Sequence, residues 1–210
     1  MIEPFAAFVD HLLRALARPL PGPRAQLRLA PTPDRGWRPD LRPPGARAAA
    51  VLLAIYPRSE RATFVLTRRP PHLPSHGGQV SLPGGRLERG EDPEEAARRE
   101  AVEELGPALA AARARGRLSP LWVPVSGYRI TPVVATLDVA PRFEPSKDEV
   151  ESVHEIDVAD LLDPTRRRTG LTIRRDGGER NVPWLDLGGQ TVWGATGMIL
   201  AEFAELLEAL

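Results

Sequence analysis

Apolar residues recur at helical spacing near both ends of the chain and at strand spacing between them. Phe5, Phe8, Val9, Leu12, Leu13 and Leu16 follow Pro4 at helical intervals and predict an amphipathic helix. That helix packs on the domain or on a second subunit of a homodimer. At the other end, Met198, Ile199, Phe203, Leu206 and Leu207 share one face of a predicted terminal helix. Between them, Arg47 to Tyr56 and Ala62 to Arg68 read as strands, with Pro57 to Glu60 as the turn of a hairpin. Leu121 to Val125 and Thr131 to Val139 are two more strands, the second apolar almost throughout, as in a sheet covered on both faces. Glu149 to Ile156 alternates with Val150 and Val153 inward, and Ala159 to Leu162 forms a helical turn stopped by Pro164. Leu171 to Arg175 and Glu179 to Leu185 flank the turn signal Asp176-Gly177-Gly178. Pro19 to Pro44 lacks periodicity and reads as an extended arm held down by Trp37 and Leu41; alanine-rich Pro107 to Arg115 reads as a second short helix. The pattern predicts an α/β domain over 47–210, with a helix and proline-rich arm over 1–46 packed on it.

The polar pattern departs from this background in GGRLERGEDPEEAARREAVEELG, residues 84–106. Asp92 is placed as an N-cap, Pro93 at the first helical position, Glu95 at the third to complete a capping box, and Gly106 at the end. At about 100° per residue, Glu100, Glu103 and Glu104 fall within roughly a third of the circumference, beside an apolar stripe of Ala97, Ala101 and Leu105. Three neighbouring carboxylates repel one another and call for a cation. Hard divalent ions prefer carboxylate oxygen, and Mg2+ commonly takes one or two protein carboxylates, waters and substrate phosphates.

Gly85, Glu91, Arg99, Glu100, Glu103, Glu104 and Gly106 stand at the fixed positions of the Nudix box, and the chain resembles that family. Two positions depart from its pattern: Pro107 and Ala101 stand where larger aliphatic residues are usual. The resemblance implies an α/β/α sandwich with a mixed sheet, and Mg2+ or Mn2+ held by Glu100, Glu103, Glu104 and the Gly85 carbonyl. It gives Glu91 and Arg99 a structural role, pairing to fix the loop on the helix. For the general base it leaves Glu103 and Glu149 open.

The preceding stretch, Leu66 to Gly85, is too rich in glycine and proline for a helix and favours backbone close to a ligand. Its Leu66, Thr67, Arg69, Gly78, Pro83, Gly84 and Gly85 are similar to the signature of the coenzyme A pyrophosphatases, as are SGYRITPVVA and WGATGMIL further on. Val65, Pro70, Pro74 and Leu82 depart from it; the arginine lost at Pro74 has Arg68 and His76 as candidate replacements. Guanidinium groups match phosphate bidentately, so Arg68 and Arg69 are candidate phosphate ligands, with Gly78 and Gly84 giving the substrate backbone access. The implied reaction cuts coenzyme A, or an acyl derivative, into 3′,5′-ADP and 4′-phosphopantetheine. Two rivals remain: a Nudix hydrolase of ADP-ribose, NADH or another nucleoside diphosphate derivative, and a Nudix-fold module that binds a nucleotide without cutting it. The first lacks reason for the Leu66 to Gly85 stretch, and the second lacks reason for an intact set of glutamates.

Composition narrows the rest. Basic and acidic residues balance at 28 each, which supplies no overall field for nucleic acid or an anionic membrane. There is no cysteine, so disulfides, thiolate metal sites and a cysteine nucleophile are excluded. His11, His72 and His154 read as surface or boundary histidines, and Ser75 and Ser81 have no evident base. The apolar start is interrupted by Glu3, Asp10, His11 and Arg14 and resembles neither a signal peptide nor a membrane span, and the last residues carry no peroxisomal address. A cytoplasmic location is the expectation.

Overall fold

The computed structural model describes residues 4–31, 37–72, 77–175 and 178–208. Its centre is a parallel pair, β1 (Arg47–Arg58) and β7 (Tyr128–Thr136), in unbroken register from Arg47 opposite Tyr128 to Ile55 opposite Thr136. Both strands are apolar on two faces because each face is covered. Ala50, Leu52, Ala54 and Tyr56 of β1 and Val133 and Ala135 of β7 lie under α3 (Pro93–Leu105), while Leu53, Ile55 and Val134 join the core beneath α5 (Gly194–Glu208). The sheet is thus mixed and flanked by helices, as the resemblance implies.

The hairpin from β1 to β2 (Arg61–Arg68) turns on Ser59 and Glu60, both in the left-handed region, at φ 48° and 65°. Two positive φ angles in succession match the right-handed strand twist, here without the usual glycine. Below the hairpin the two strands separate. β2 continues against β3 (Val80–Ser81) and, on its other edge, β8 (Ser152–Asp157); β1 pairs with β4 (Gly84–Arg86). The wedge of β3 and β4 brings Gly84 and Gly85 to the middle of the sheet, facing α3.

β5 (Arg113–Arg117) and β6 (Leu121–Val123) pair with β7. β9 (Arg167–Arg175), β10 (Gly178–Leu187) and β11 (Gln190–Val192) form a second sheet, and α4 (Val158–Leu162) follows β8. Of the turn read at Asp176-Gly177-Gly178, Asp176 and Gly177 lie outside the described residues.

Several expectations are corrected. The second helix ends early: Pro107–Ala111 is a 3-10 turn, and Arg113–Arg117 is a strand because its pairing with β7 outweighs the helix preference of alanine and arginine. β6 and β7 stop at Val123 and Thr136, short of the predicted ends. In α1 (Phe5–Leu16), Phe8, Leu12 and Ala15 are buried, whereas Leu13 is 39% exposed. The arm is not extended throughout: it forms α2 (Pro23–Gln26) and a 3-10 turn at Leu27–Leu29, both packed on α5. With that cover, α5 is buried around its whole circumference from Thr196 to Leu207, including Glu202 and Glu205. Among the described residues no helix is long and apolar enough to cross a membrane.

Candidate active site

The helix carrying the carboxylates starts as its sequence predicts. Asp92 accepts from the N–H groups of Glu94 (2.7 Å) and Glu95 (3.1 Å), and Glu95 returns a bond to the Asp92 N–H at 3.0 Å. Ala97 and Ala101, both fully buried, share a core with Ala50 and Ala54 of β1, so alanine meets alanine and the helix lies close to the sheet. A small residue at 101 is what this packing uses.

At the other end, Gly106 adopts φ 99°, and a Cβ there would come within 2.9 Å of Glu144 Cβ. The close approach lets the loop after β7 satisfy carbonyls that the helix end leaves open: Glu144 N–H donates to Leu105 O at 2.8 Å and Ser146 N–H to Glu104 O at 2.9 Å. Glu149 N–H then donates to Ser146 O, closing a turn that leaves the Glu149 carboxylate exposed but near enough to act electrostatically on Glu100 and Glu104. The structure thus brings Glu149 to the site from a distant part of the chain.

Gly85 has no side chain because Glu100 occupies the space: a Cβ there would overlap the Glu100 carboxylate. Gly84, at φ 152°, is equally constrained, since a Cβ would sit 2.6 Å from Val51 Cα. Its N–H reaches Glu104 Oε1 at 3.4 Å, a long bond for a side chain only 4% exposed. Burial pushes the Glu104 carboxyl up to about 8. The Gly84 N–H and the charge of Arg69 pull it back, and Glu149 and Glu100 raise it further. The Glu100 carboxyl is also raised, chiefly by burial, against the pull of Arg99. Two carboxylates with few donors thus lie at neighbouring residues of β4, Glu104 at Gly84 and Glu100 at Gly85.

Arg99 organises the outer side. It grips Glu91 with two bonds, Nε to Oε1 at 2.9 Å and Nη2 to Oε2 at 3.0 Å, and donates to Arg86 O, Glu100 Oε1 and Glu103. Glu91 in turn accepts from Glu88 N–H at 2.9 Å. Its bond from Arg99, then that from Glu88, holds its carboxyl below the usual range. Glu91 and Arg99 fasten the loop to the helix. Glu103 is half-exposed, and its carboxylate lies against Arg99 at 3.2 Å. An open depression on the solvent flank of α3, lined by Glu88, Arg89, Arg99 and Glu103, excludes Glu100 and Glu104.

Arg68 and Arg69 part company. By strand alternation Arg68 falls on the same side of β2 as Phe64 and Leu66, the α5 side, and it pairs with Glu151 at 3.2 Å. It is therefore directed away from the carboxylates. Arg69 is the one whose charge acts on Glu104. Gly78, at φ 73°, donates its N–H to Arg69 O and closes the loop there. Pro74, Ser75 and His76 lie outside the described residues. His154, paired with Ser152 at 2.9 Å, and His11, against Leu207 O at 3.0 Å, are elsewhere. The anchoring of α3 by Glu144 and Ser146 has no sequence signal, since it uses backbone groups alone.

Among the described residues no three acidic or histidine side chains converge into a closed metal cage. Glu100, against Gly85, and Glu104, beside the Gly84 N–H, instead offer hard oxygen donors at neighbouring positions, one of them buried with few partners among the described residues. That set fits Mg2+ or Mn2+, which keep waters and take substrate phosphate oxygens.

Comparison with known proteins agrees with this geometry. The family model described as the NUDIX domain matches residues 46–175. An uncharacterised Nudix hydrolase, NudL, of Yersinia pestis (strain Pestoides F) is 35% identical over 164 residues, covering 76% of this chain and 79% of its own; NudL of Yersinia pseudotuberculosis serotype O:1b matches equally. Among solved structures, the Nudix hydrolase RenU of M. Smegmatis superposes with a TM-score of 0.53 at 19% identity, over 87% of this chain and 96% of its own. A MutT/nudix family protein of Enterococcus faecalis gives 0.50 at 14% identity, over 80% and 64%. These likenesses carry the fold. With the domain match spanning more than half the chain and the box residues grouped around one open carboxylate site, the protein belongs to the Nudix hydrolases.

Proposed function

We propose that this hydrolase cuts the pyrophosphate of coenzyme A or its acyl derivatives, releasing 3′,5′-ADP and the 4′-phosphopantetheine part. The observation that carries the reading is the role of Leu66 to Gly85. The stretch resembling the coenzyme A signature is the segment that sets Arg69 beside Glu104 and Gly84 and Gly85 beneath Glu100. Substrate signature and carboxylate site are one structure.

A bound Mg2+ or Mn2+ supplies charge neutralisation on the phosphates and lowers the pKa of a coordinated water. Glu100 and Glu104, with the Gly85 carbonyl, would hold it, and Glu103 would be a further carboxylate on the same helix. Arg69 orients a phosphate oxygen, and Gly78, open on its Cβ side, leaves room for the anhydride, whereas the bare Cα of Gly84 lets the strand close on Ala50 and Val51. Water oxygen bonds to one phosphorus, the bridging P–O bond breaks, and the water proton passes to a carboxylate. Glu149 is the better-disposed base, because it is exposed and near the pair while the Glu103 carboxylate is held against the Arg99 guanidinium.

The test is chromatographic product analysis with coenzyme A, ADP-ribose and NADH in parallel, each with Mg2+, Mn2+ or EDTA. Metal-dependent 3′,5′-ADP from coenzyme A alone is the expected result. Cleavage of the other two with coenzyme A intact would discard the substrate and keep the hydrolase; no cleavage of any would favour a binding module.

A further inference from the structure

Arg129 and Arg42 lie near one another without a compensating acid. Arg129 Nε is buried and has no hydrogen-bond partner, and neither guanidinium has an ion-pair partner among the described residues. Burial, with the charge of Arg42 added, lowers the Arg129 pKa. In a chain whose charges balance, such a pair asks for an anion.

Its position follows from register. Arg129 is opposite Ala48 on one side and Trp122 on the other, and alternation along β7 puts it on the face of Val133 and Ala135, which is the α3 face. Gly85, which backs Glu100, is opposite Ala50 on that same face. Two strand spacings of ~4.8 Å and two residues of ~3.3 Å separate the Gly85 and Arg129 Cα atoms, roughly 12 Å in all. The arm delivers Arg42: Trp122 N–H donates to Pro39 O at 2.8 Å, and the Trp37 indole donates to Trp122 O at 3.2 Å. Trp122, half-buried, adds aromatic surface beside the two arginines.

We propose that Arg129 and Arg42, with Trp122 beside them, form a subsite for a phosphate monoester on a nucleotide, namely the 3′-phosphate of the substrate whose pyrophosphate lies at Glu100 and Glu104. The assignment to the substrate rests on the coenzyme A reading above. The separation suits a nucleoside carrying phosphate at both the 5′ and 3′ positions, with a glutamate and an arginine side chain spanning the remainder. The subsite selects for coenzyme A over nucleoside diphosphate derivatives that lack a 3′-phosphate.

The test is calorimetric binding of 3′,5′-ADP and 5′-AMP to full-length wild type, Arg129→Gln and Arg42→Ala, with coenzyme A turnover measured separately. Wild type should prefer 3′,5′-ADP by roughly 10- to 100-fold, the worth of one or two charge-assisted contacts. Arg129→Gln should bring the two within about threefold, leaving 5′-AMP binding unchanged, and Arg42→Ala should remove part of the preference. Equal affinity of wild type for both nucleotides overturns the subsite, as does a preference that survives in both variants. Should Arg129→Gln fail to fold, the exposed Arg42→Ala decides alone: full retention of the preference overturns the proposal. If coenzyme A is cleaved but the preference is absent, the subsite alone fails. If coenzyme A is untouched while an Arg129-dependent preference persists, the substrate reading fails and the subsite stands.

Discussion

Glu202 and Glu104 are the most deeply buried glutamates of the two helices that sandwich the sheet, and they are treated in opposite ways. Glu202, on α5, is fully buried and accepts from Gly22 N–H (3.2 Å), Ser119 N–H (3.1 Å) and Gln26 Nε2 (2.8 Å). It ties the N-terminal arm, the connection between β5 and β6, and the terminal helix into one unit. One turn on, Glu205 pairs with Arg24 and Arg28. Glu104, on α3, is almost as deeply buried and has, among the described residues, one long bond, from Gly84, with Arg69 as the nearby positive charge. A buried carboxylate with all its bonds filled is a fastener. One left short of partners is a site held ready for a cation.

The sharpest way to break the comparison is turnover. Glu104→Gln keeps shape and removes charge, so pyrophosphate hydrolysis, on the proposed substrate coenzyme A, should fall by roughly 10³-fold or more with the melting temperature unchanged or raised. Steady-state kinetics and a thermal melt on the same preparation check this. Glu202→Gln should do the reverse. Its new amide N–H groups would face donors, at a cost on the order of 3 kcal/mol, lowering the melting temperature by roughly 10 °C while turnover per folded molecule stays within about twofold. A smaller effect is expected at Glu91. Glu91→Gln loosens the grip of Arg99 on the loop without touching the pair at Gly84 and Gly85, and should lower kcat about tenfold; equal damage from Glu91→Gln and Glu104→Gln would erase the distinction between positioning and ligation.

Much of the carboxylate-bearing helix was legible because its logic is local. Asp92, Pro93, Glu95 and Gly106 are capping chemistry within one helix, and the carboxylate face follows from helical period. The fastening side was hidden because its contacts join distant parts of the sequence, 180 residues apart for Gly22 and Glu202. Nothing in a proline-rich stretch announces a short helix that exists by packing on α5. Arg113–Arg117 misleads for the same reason, since pairing with β7 decides its state. Arg68 and Arg69 were indistinguishable by composition; the two-residue period of β2 separates them, and it becomes usable only once the buried faces of Leu66 and Thr67 are known. The anchoring of α3 by the loop from Glu144 to Glu149 uses backbone groups, to which side-chain patterns are blind.

The central claim, that Glu104 is buried short of partners because a cation completes it, is tested most directly by melting curves across pH with and without Mg2+. Without metal, folded Glu104 keeps a proton up to about pH 8 that the unfolded chain releases near 4.5. Unfolding therefore releases a proton across that window, and stability falls as pH rises through it and is flat on either side. The total fall is on the order of a few kcal/mol. Mg2+ should raise the melting temperature strongly at pH 8 and little at pH 5, and Glu104→Gln should abolish both the slope attributable to this group and the Mg2+ effect. A Mg2+ shift that is equal at the two pH values, or that survives in Glu104→Gln, would contradict the account.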